Sequence, residues 1–416
     1  MKTPESLEDS TETAPLTYRQ VLGSRNVPPL LLAASLSRLA GSILLFVIVL
    51  YVIAEFHSVS MAGLSGFFLT LPGFLVSPIA GAVLDRLGAV RAVALDTLSS
   101  AVFISGIALL SLGGTLTEPV LFVLLALYSL TSPLTAGGIR TLFPGFVPEA
   151  AYDKANALDL STFSVIDVVG PLLAGAMFAA IGPNPALLTT AGMYVLAGLS
   201  LTLLRGGRAG APSAPRRHLL RSAWEGITYL FRNSTLRGLA VSYALYQAAA
   251  GMLIVIVPVA VADWLDGGTS VDRYVGLMWA ITGLAGAVGG LIAGKVLRAG
   301  GERRYMVAAT LVCAVAIFPV SALGSLVTLG IGLMLVGLAE GAVNVSLLSL
   351  RQRRTESDWL GRIMTVSISV NLIGFPIGTA LGGALATHSA TVALATAALL
   401  AVGSAASGRF LIPREA

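Results

Sequence analysis

Twelve long apolar runs limit what this chain can become. They lie near residues 28–54, 61–83, 91–112, 118–139, 157–181 and 185–204, then 236–262, 273–296, 305–324, 326–350, 361–385 and 389–411. Each can cross a hydrocarbon core of about 30 Å, which takes ~20 helical residues. Lipid offers the backbone no water to bond, so such runs are expected as helices. Charge is correspondingly scarce. Only 11% of the residues are Asp, Glu, Lys or Arg, against roughly 25% in soluble proteins. The chain reads as an all-α integral membrane protein of twelve transmembrane helices.

The few charges give the runs a direction. Of the 26 Lys and Arg, only Arg273 falls at one face and only Arg38 lies deep within a run. The others gather in the tails, the loops of the opposite face, or the helix ends there. Positive charge marks the cytoplasmic side, so both termini are expected inside the cell. The net charge of +5 follows from this topology and implies no nucleic acid. The N-terminus, with Glu5, Glu8, Asp9 and Glu12, lacks the basic start of a cleavable signal peptide. Residues 1–24 read as a cytoplasmic tail, 25–204 as a six-helix bundle, 205–235 as a cytoplasmic linker, and 236–412 as a second six-helix bundle. Within the linker, Trp224 to Phe231 reads as an interfacial helix.

The turn between runs 2 and 3 is the most distinctive segment, Gly81-Ala-Val-Leu-Asp85-Arg86-Leu-Gly88-Ala-Val-Arg91. Asp85 stands at the partially negative end of one helix and Arg91 at the partially positive start of the next. Each charge is misplaced on its own helix, so each is expected to find a partner elsewhere. Gly88 suits the positive φ that stops a helix abruptly, and Gly81 suits close approach of another backbone. This segment resembles the signature loop of the major facilitator superfamily, Gly-x-Leu-Ala-Asp-Arg-x-Gly-Arg-Lys. Gly81, Asp85, Arg86 and Gly88 match it, and Arg91 stands one place beyond its basic pair.

Other stretches extend the resemblance along the chain. Arg140-Thr-Leu-Phe-Pro144-Gly-Phe-Val-Pro148, with Ala155 to Leu158, looks like the loop before helix 5 in the bacterial drug-efflux branch. Gly170-Pro171-Leu-Leu-Ala-Gly175 resembles the Gly-Pro-x-x-Gly-Gly motif of antiporters. Gly290 to Lys295 holds the signature loop's place in the second half, which points to a repeat. The resemblance implies two pseudo-symmetric six-helix halves, with runs 1, 4, 7 and 10 lining a central cavity. It also implies that runs 2 and 11, and 5 and 8, meet between the halves. Small residues at three/four spacing agree: Gly66, Thr70, Gly73, Ser77 and Gly81 in run 2, Ser367, Asn371, Gly374, Gly378 and Gly382 in run 11, and Gly283, Ala287, Gly290 and Gly294 in run 8. Asp85 is expected near the start of run 11, around Asp358 to Arg362, in the outward-open state.

Ionisable groups inside a membrane are costly and therefore point to function. Arg38 in run 1, Asp167 in run 5 and Glu340 in run 10 are the deepest. Asp96, near the start of run 3, is assigned to the signature loop. A carboxylate removed from water suits reversible protonation, and a neighbouring Arg opposes it. Arg38, Asp167, Glu340 and Asn344 are the candidates for proton coupling or substrate contact, with Tyr246 and Gln247 of run 7 lining the pocket. Tyr243 and Trp279 are further lining candidates. A static Arg38–acid pair that only holds helices together is the competing reading.

Enzyme chemistry finds little support. Gly63-Leu-Ser65-Gly66 matches a four-residue intramembrane protease motif, but His57 and His388 lie near outer helix ends and His218 in the linker. No phosphate loop or metal motif is present, and Cys313 is the single cysteine. No cofactor and no metal are expected. The leading reading is a monomeric secondary transporter of the bacterial inner membrane, exporting small apolar or amphipathic compounds against protons by alternating access. Transport of a specific anionic metabolite with Arg38 as its partner, or a receptor or scaffold that does not transport, are the alternatives. The topology makes a test. After replacement of Cys313, a cysteine at position 266 should react with an impermeant reagent in intact cells and one at position 216 should not. The reverse pattern would overturn the orientation.

Overall fold

The computed structural model describes residues 17–147, 151–205, 219–265, 271–298, 300–323, 325–356, 359, 363, 367 and 369–413. Their helices are α1 Tyr18–Leu22, α2 Val27–Phe56, α3 Val59–Leu87, α4 Ala89–Leu112, α5 Glu118–Phe146, α6 Tyr152–Ile181, α7 Pro183–Ser200, α8 Leu219–Arg232, α9 Ser234–Trp264, α10 Val271–Val296, α11 Glu302–Leu323, α12 Leu326–Arg353, α13 Gly374–Ala386 and α14 Ala390–Leu411. Among the described residues, eleven helices are long and apolar enough to cross a membrane. The other long helix, α11, opens on Glu302, Arg303 and Arg304 and packs between α12 and α14. Several helices outrun their apolar cores: α5 continues to Phe146 and α6 begins at Tyr152.

The ends are set by local chemistry. Ser58, Asn233, Ser325 and Ser389 each accept a hydrogen bond from a backbone N–H of the first turn, which satisfies donors that a helix start leaves free. Gly88 at φ 78° and Gly182 at φ 79° join α3 to α4 and α6 to α7 through a single residue. A side chain would be strained at that φ, so the expectation for Gly88 holds. Successive membrane helices reverse direction. One end of the molecule therefore carries the Gly88 turn, α8 and the C-terminal end of α14. The other carries the turns at His57, Gly182 and Thr387.

Helices α2–α7 form one half and α9–α14 the other, and the halves meet through α3 with α13 and α6 with α10. Close approach is concentrated at the His57–Gly182 end. A Cβ on Gly63 would lie 2.8 Å from the Gly383 Cα, and one on Gly175 would lie 2.8 Å from the Gly276 Cα. Toward the other end the halves part: Gly81 and Gly294 have nothing within 4 Å of where a Cβ would stand. Gly81 thus admits no neighbouring backbone, contrary to its sequence reading.

The small-residue stripes divide between partners. In α3, Gly66 meets Thr379 of α13, but Gly73 donates its N–H to Ser129 Oγ of α5 at 2.9 Å. In α13, Gly374, Gly378 and Gly382 pack on Ala244, Ala248 and Met252 of α9, inside the same half, while Thr379 and Gly383 face α3. In α10, Gly283 meets α6, and Gly290 lies nearest Gly341 of α12. A stripe records that something comes close and leaves the partner open.

This geometry predicts unequal effects of adding one methyl group. Gly63→Ala should destabilise the closed end by about 1–3 kcal/mol, as overpacking does, whereas Gly294→Ala should stay within about 0.5 kcal/mol. Melting temperatures of the purified variants check this. Equal losses would contradict the described contact.

Candidate functional site

Arg38 lies eleven residues into α2, and its side chain is only 20% exposed. It is held by Asp159 of α6 through two parallel bonds, Nη1 to Oδ1 at 2.5 Å and Nη2 to Oδ2 at 3.0 Å. This two-pronged geometry is the strongest pairing an Arg makes with a carboxylate. The Phe163 ring, one turn along α6, stands 5.5 Å from the guanidinium carbon, within cation–π range. Arg38 is therefore clamped on two sides by residues four apart. The sequence reading did not single out Asp159.

Asp167 stands two turns beyond Asp159 on α6. Its side chain is exposed rather than packed. It is within electrostatic reach of Arg38 on α2 and of Glu340 on α12, so it faces the cleft between the halves. The Gly-Pro step shapes this region. Pro171 has no N–H to offer the carbonyl four residues earlier, that of Asp167. This carbonyl instead meets α10, where a Cβ on Gly283 would lie 3.0 Å from it. Gly170 admits the Ser42 side chain of α2, and Gly175 admits the α10 backbone at Gly276. The motif residues thus fit α6 against both neighbours.

Across the cleft, Glu340 lies midway along α12. Among the described residues no hydrogen bond or ion pair reaches its carboxylate. Tyr243, Tyr246 and Cys313 surround it within electrostatic reach. Tyr243 donates its hydroxyl to Asn344 Oδ1 at 2.8 Å, one turn along α12 from Glu340. Tyr246 packs 5.7 Å from Tyr243, ring to ring, but is only 3% exposed and belongs to the core of its half. That corrects its assignment as a lining residue. Gln247 is half-buried and makes no hydrogen bond to this group among the described residues. Between the charged level and the closed end, Phe46 of α2 and Trp279 of α10 place their rings 5.4 Å apart and roof the cleft.

At the open end Arg351 of α12 is 4% exposed. With the Asn371 amide oxygen turned toward it, Nη2 donates to that oxygen at 2.7 Å, and the amide nitrogen donates to the Ser367 carbonyl at 3.1 Å. Arg86 and Arg91 are exposed near the Gly88 turn. The Asp85 side chain, Asp358 and Arg362 lie outside the described residues. Asp96 is buried, and Thr131 and Thr135 of α5 stand beside its carboxylate.

The arrangement consists of a fixed ion pair, two carboxylates on opposite halves, and aromatic walls. It contains no nucleophile–base pair and suits passage of a solute rather than a bond-making step. Comparison with known proteins agrees. The chain is 42% identical over 403 residues to an uncharacterized MFS-type transporter, y4rN, of Sinorhizobium fredii, covering 96% of this chain and 98% of that one. It is 26% identical over 355 residues to the multidrug efflux pump Tap of Mycolicibacterium fortuitum, covering 82% and 84%. It is also 26% identical over 358 residues to the enterobactin exporter EntS of Shigella boydii, covering 83% and 82%. In fold it is similar to the nucleoside transporter NupG, with a TM-score of 0.76 and 16% identity over 92% of this chain and 98% of that one. A bacterial homologue of the iron transporter ferroportin, in an inward-facing state, gives 0.72 and 18% over 94% and 99%. The sequence profile of the Major Facilitator Superfamily matches residues 30–379. The chain belongs to the major facilitator superfamily and is a membrane transporter, not an enzyme.

Proposed function

We propose that this transporter is a proton-coupled exporter of small apolar or amphipathic compounds, working as a monomer in the bacterial inner membrane. The observation that carries the proposal is the pair Asp167 and Glu340. They stand on opposite halves within electrostatic reach of each other, and neither has an ion-pair partner among the described residues. Like charges repel, and more strongly at the wall of a low-dielectric membrane interior than in bulk water. A proton is the smallest group able to neutralise one of them and leave again on the other side. Rocking of the halves would alternately open this pair to the two faces.

The positions of Lys and Arg put the open end in the cytoplasm, so the described state is read as inward-open. Phe46, Phe163 and Trp279 give the cleft an apolar, aromatic lining suited to amphipathic solutes. The names of Tap and EntS, an efflux pump and an exporter, support outward transport. An anionic metabolite is disfavoured as substrate because both prongs of the Arg38 guanidinium are taken by Asp159.

Proteoliposomes carrying an imposed pH gradient and a panel of lipophilic dyes test the proposal. Asp167→Asn or Glu340→Gln should abolish gradient-driven accumulation while leaving dye exchange without a gradient. If only one variant fails, that residue is the coupling site. Uphill transport at the wild-type rate in both variants would overturn proton coupling, and absence of any counterflow in the wild type would favour a receptor or scaffold.

A further inference from the structure

The linker between the halves carries an apolar surface that the cleft does not use. In α8, Trp224, Ile227, Leu230 and Phe231 fall on one arc of the helix, and Glu225, Thr228 and Arg232 on another. The protein covers only one edge of the apolar arc. Leu230 is 0% exposed and joins the core, whereas Phe231 is 46% exposed and Trp224 69%. Between them Ile227 is half-buried. An amphipathic helix turns its apolar stripe toward something that excludes water, and here the aromatic half of the stripe lacks a protein cover.

The position of α8 points to what covers that half. Asn233 alone separates α8 from α9. Its Oδ1 accepts from the Leu236 N–H at 3.1 Å, and its extended backbone, with ψ 115°, turns α8 off the line of α9. From there α8 reaches across to α3 of the first half, and Tyr229 stacks on Trp359 at 4.6 Å. Because α9 is a membrane span, α8 is held at the level where the bilayer ends. Exposed cations share this end of the molecule: Arg86, Arg232, Arg237, Arg298 and Arg409.

We propose that α8 docks on the anionic surface of the cytoplasmic leaflet, with Trp224 and Phe231 inserted among the headgroups and Arg232 and Arg237 against their phosphates. Aromatic rings settle at the boundary between hydrocarbon and water, and neighbouring cations are drawn to acidic lipid. A second copy of the chain is a poorer cover, because a symmetric contact would bring the same cations against one another. Docking fixes to the bilayer a helix that touches both halves, so the linker keeps its place while the halves move. The inference stands whether or not protons drive transport.

Spin labels on single cysteines at 224, 231 and 232, after replacement of Cys313, test the docking in vesicles of phosphatidylethanolamine and phosphatidylglycerol. At 224 and 231 the label should collide several-fold more with oxygen, relative to a polar nickel chelate, than at 232. Equal ratios at the three positions would place α8 in water, and shielding from both reagents at 224 and 231 would mean a protein cover; either result overturns the proposal. Replacing phosphatidylglycerol by phosphatidylcholine, or Arg232→Glu, should lower the ratio at 231. A ratio indifferent to both would overturn the contact with anionic headgroups. With the native side chain in place, the tryptophan emission lost in Trp224→Phe should be quenched by lipids brominated near the headgroup, and emission that ignores them would contradict insertion.

Discussion

The cost of placing charge in hydrocarbon organises this molecule. Lipid offers no solvation, so each ionisable group within the spans must find a counter-charge, a network of polar groups or the cleft between the halves. Arg38 takes the first course with Asp159, and that bond between α2 and α6 leaves Asp167 as the next acid along the same helix face. Glu340, on the other half, takes the third. Charge that could have been neutralised within one half is instead divided between two bodies able to move apart. In this way a static pair and the two acids proposed to exchange protons sit within a few turns of one another.

The contact between the halves is built for the same purpose. Helix packing in lipid gains little from burying apolar surface, since the lipid is as apolar as the side chains, and depends on close fit. The fit here runs from one end, where Gly63 meets Gly383 and Gly175 meets Gly276, to the level of Asp167, whose carbonyl meets Gly283. A joint made of bare backbone has no interlocking side chains to unthread when it opens. The proline at 171 adds to this by sending the Asp167 carbonyl toward α10, so the helix that carries the acid also forms the joint. Within each half the fit is continuous, as where Gly374, Gly378 and Gly382 seat on α9.

Much of this was legible in the sequence, because membranes impose strong rules. Run length identified the spans, and the rarity of intramembrane charge picked out Arg38, Asp167 and Glu340. Asp159 is hard to see in the sequence because the apolar run starts near residue 157, which sets this acid at the membrane edge. The helix starts at Tyr152, so Asp159 lies two turns inside. Polar residues can extend a helix whose apolar core has already paid for nucleation, and hydropathy does not see them. The small-residue stripes were found but partly misassigned, since spacing identifies a close-packed face and not the helix that covers it. Tyr246 was placed on the lining for its aromatic ring, whereas Tyr243, one turn earlier, holds the bond to Asn344. Asp96 sits among hydroxyls that only the packing of α4 on α5 brings together.

The central claim is that the protonation of two facing acids governs which end of the cleft is open. Pulsed spin-label distances between α3 and α13, measured at both ends of the helices over a range of pH, test it most directly. The account predicts that one end narrows as the other widens when pH changes, and that the Asp167→Asn, Glu340→Gln double variant holds a single distribution throughout. Distances that respond to pH identically in the double variant and the wild type would contradict it.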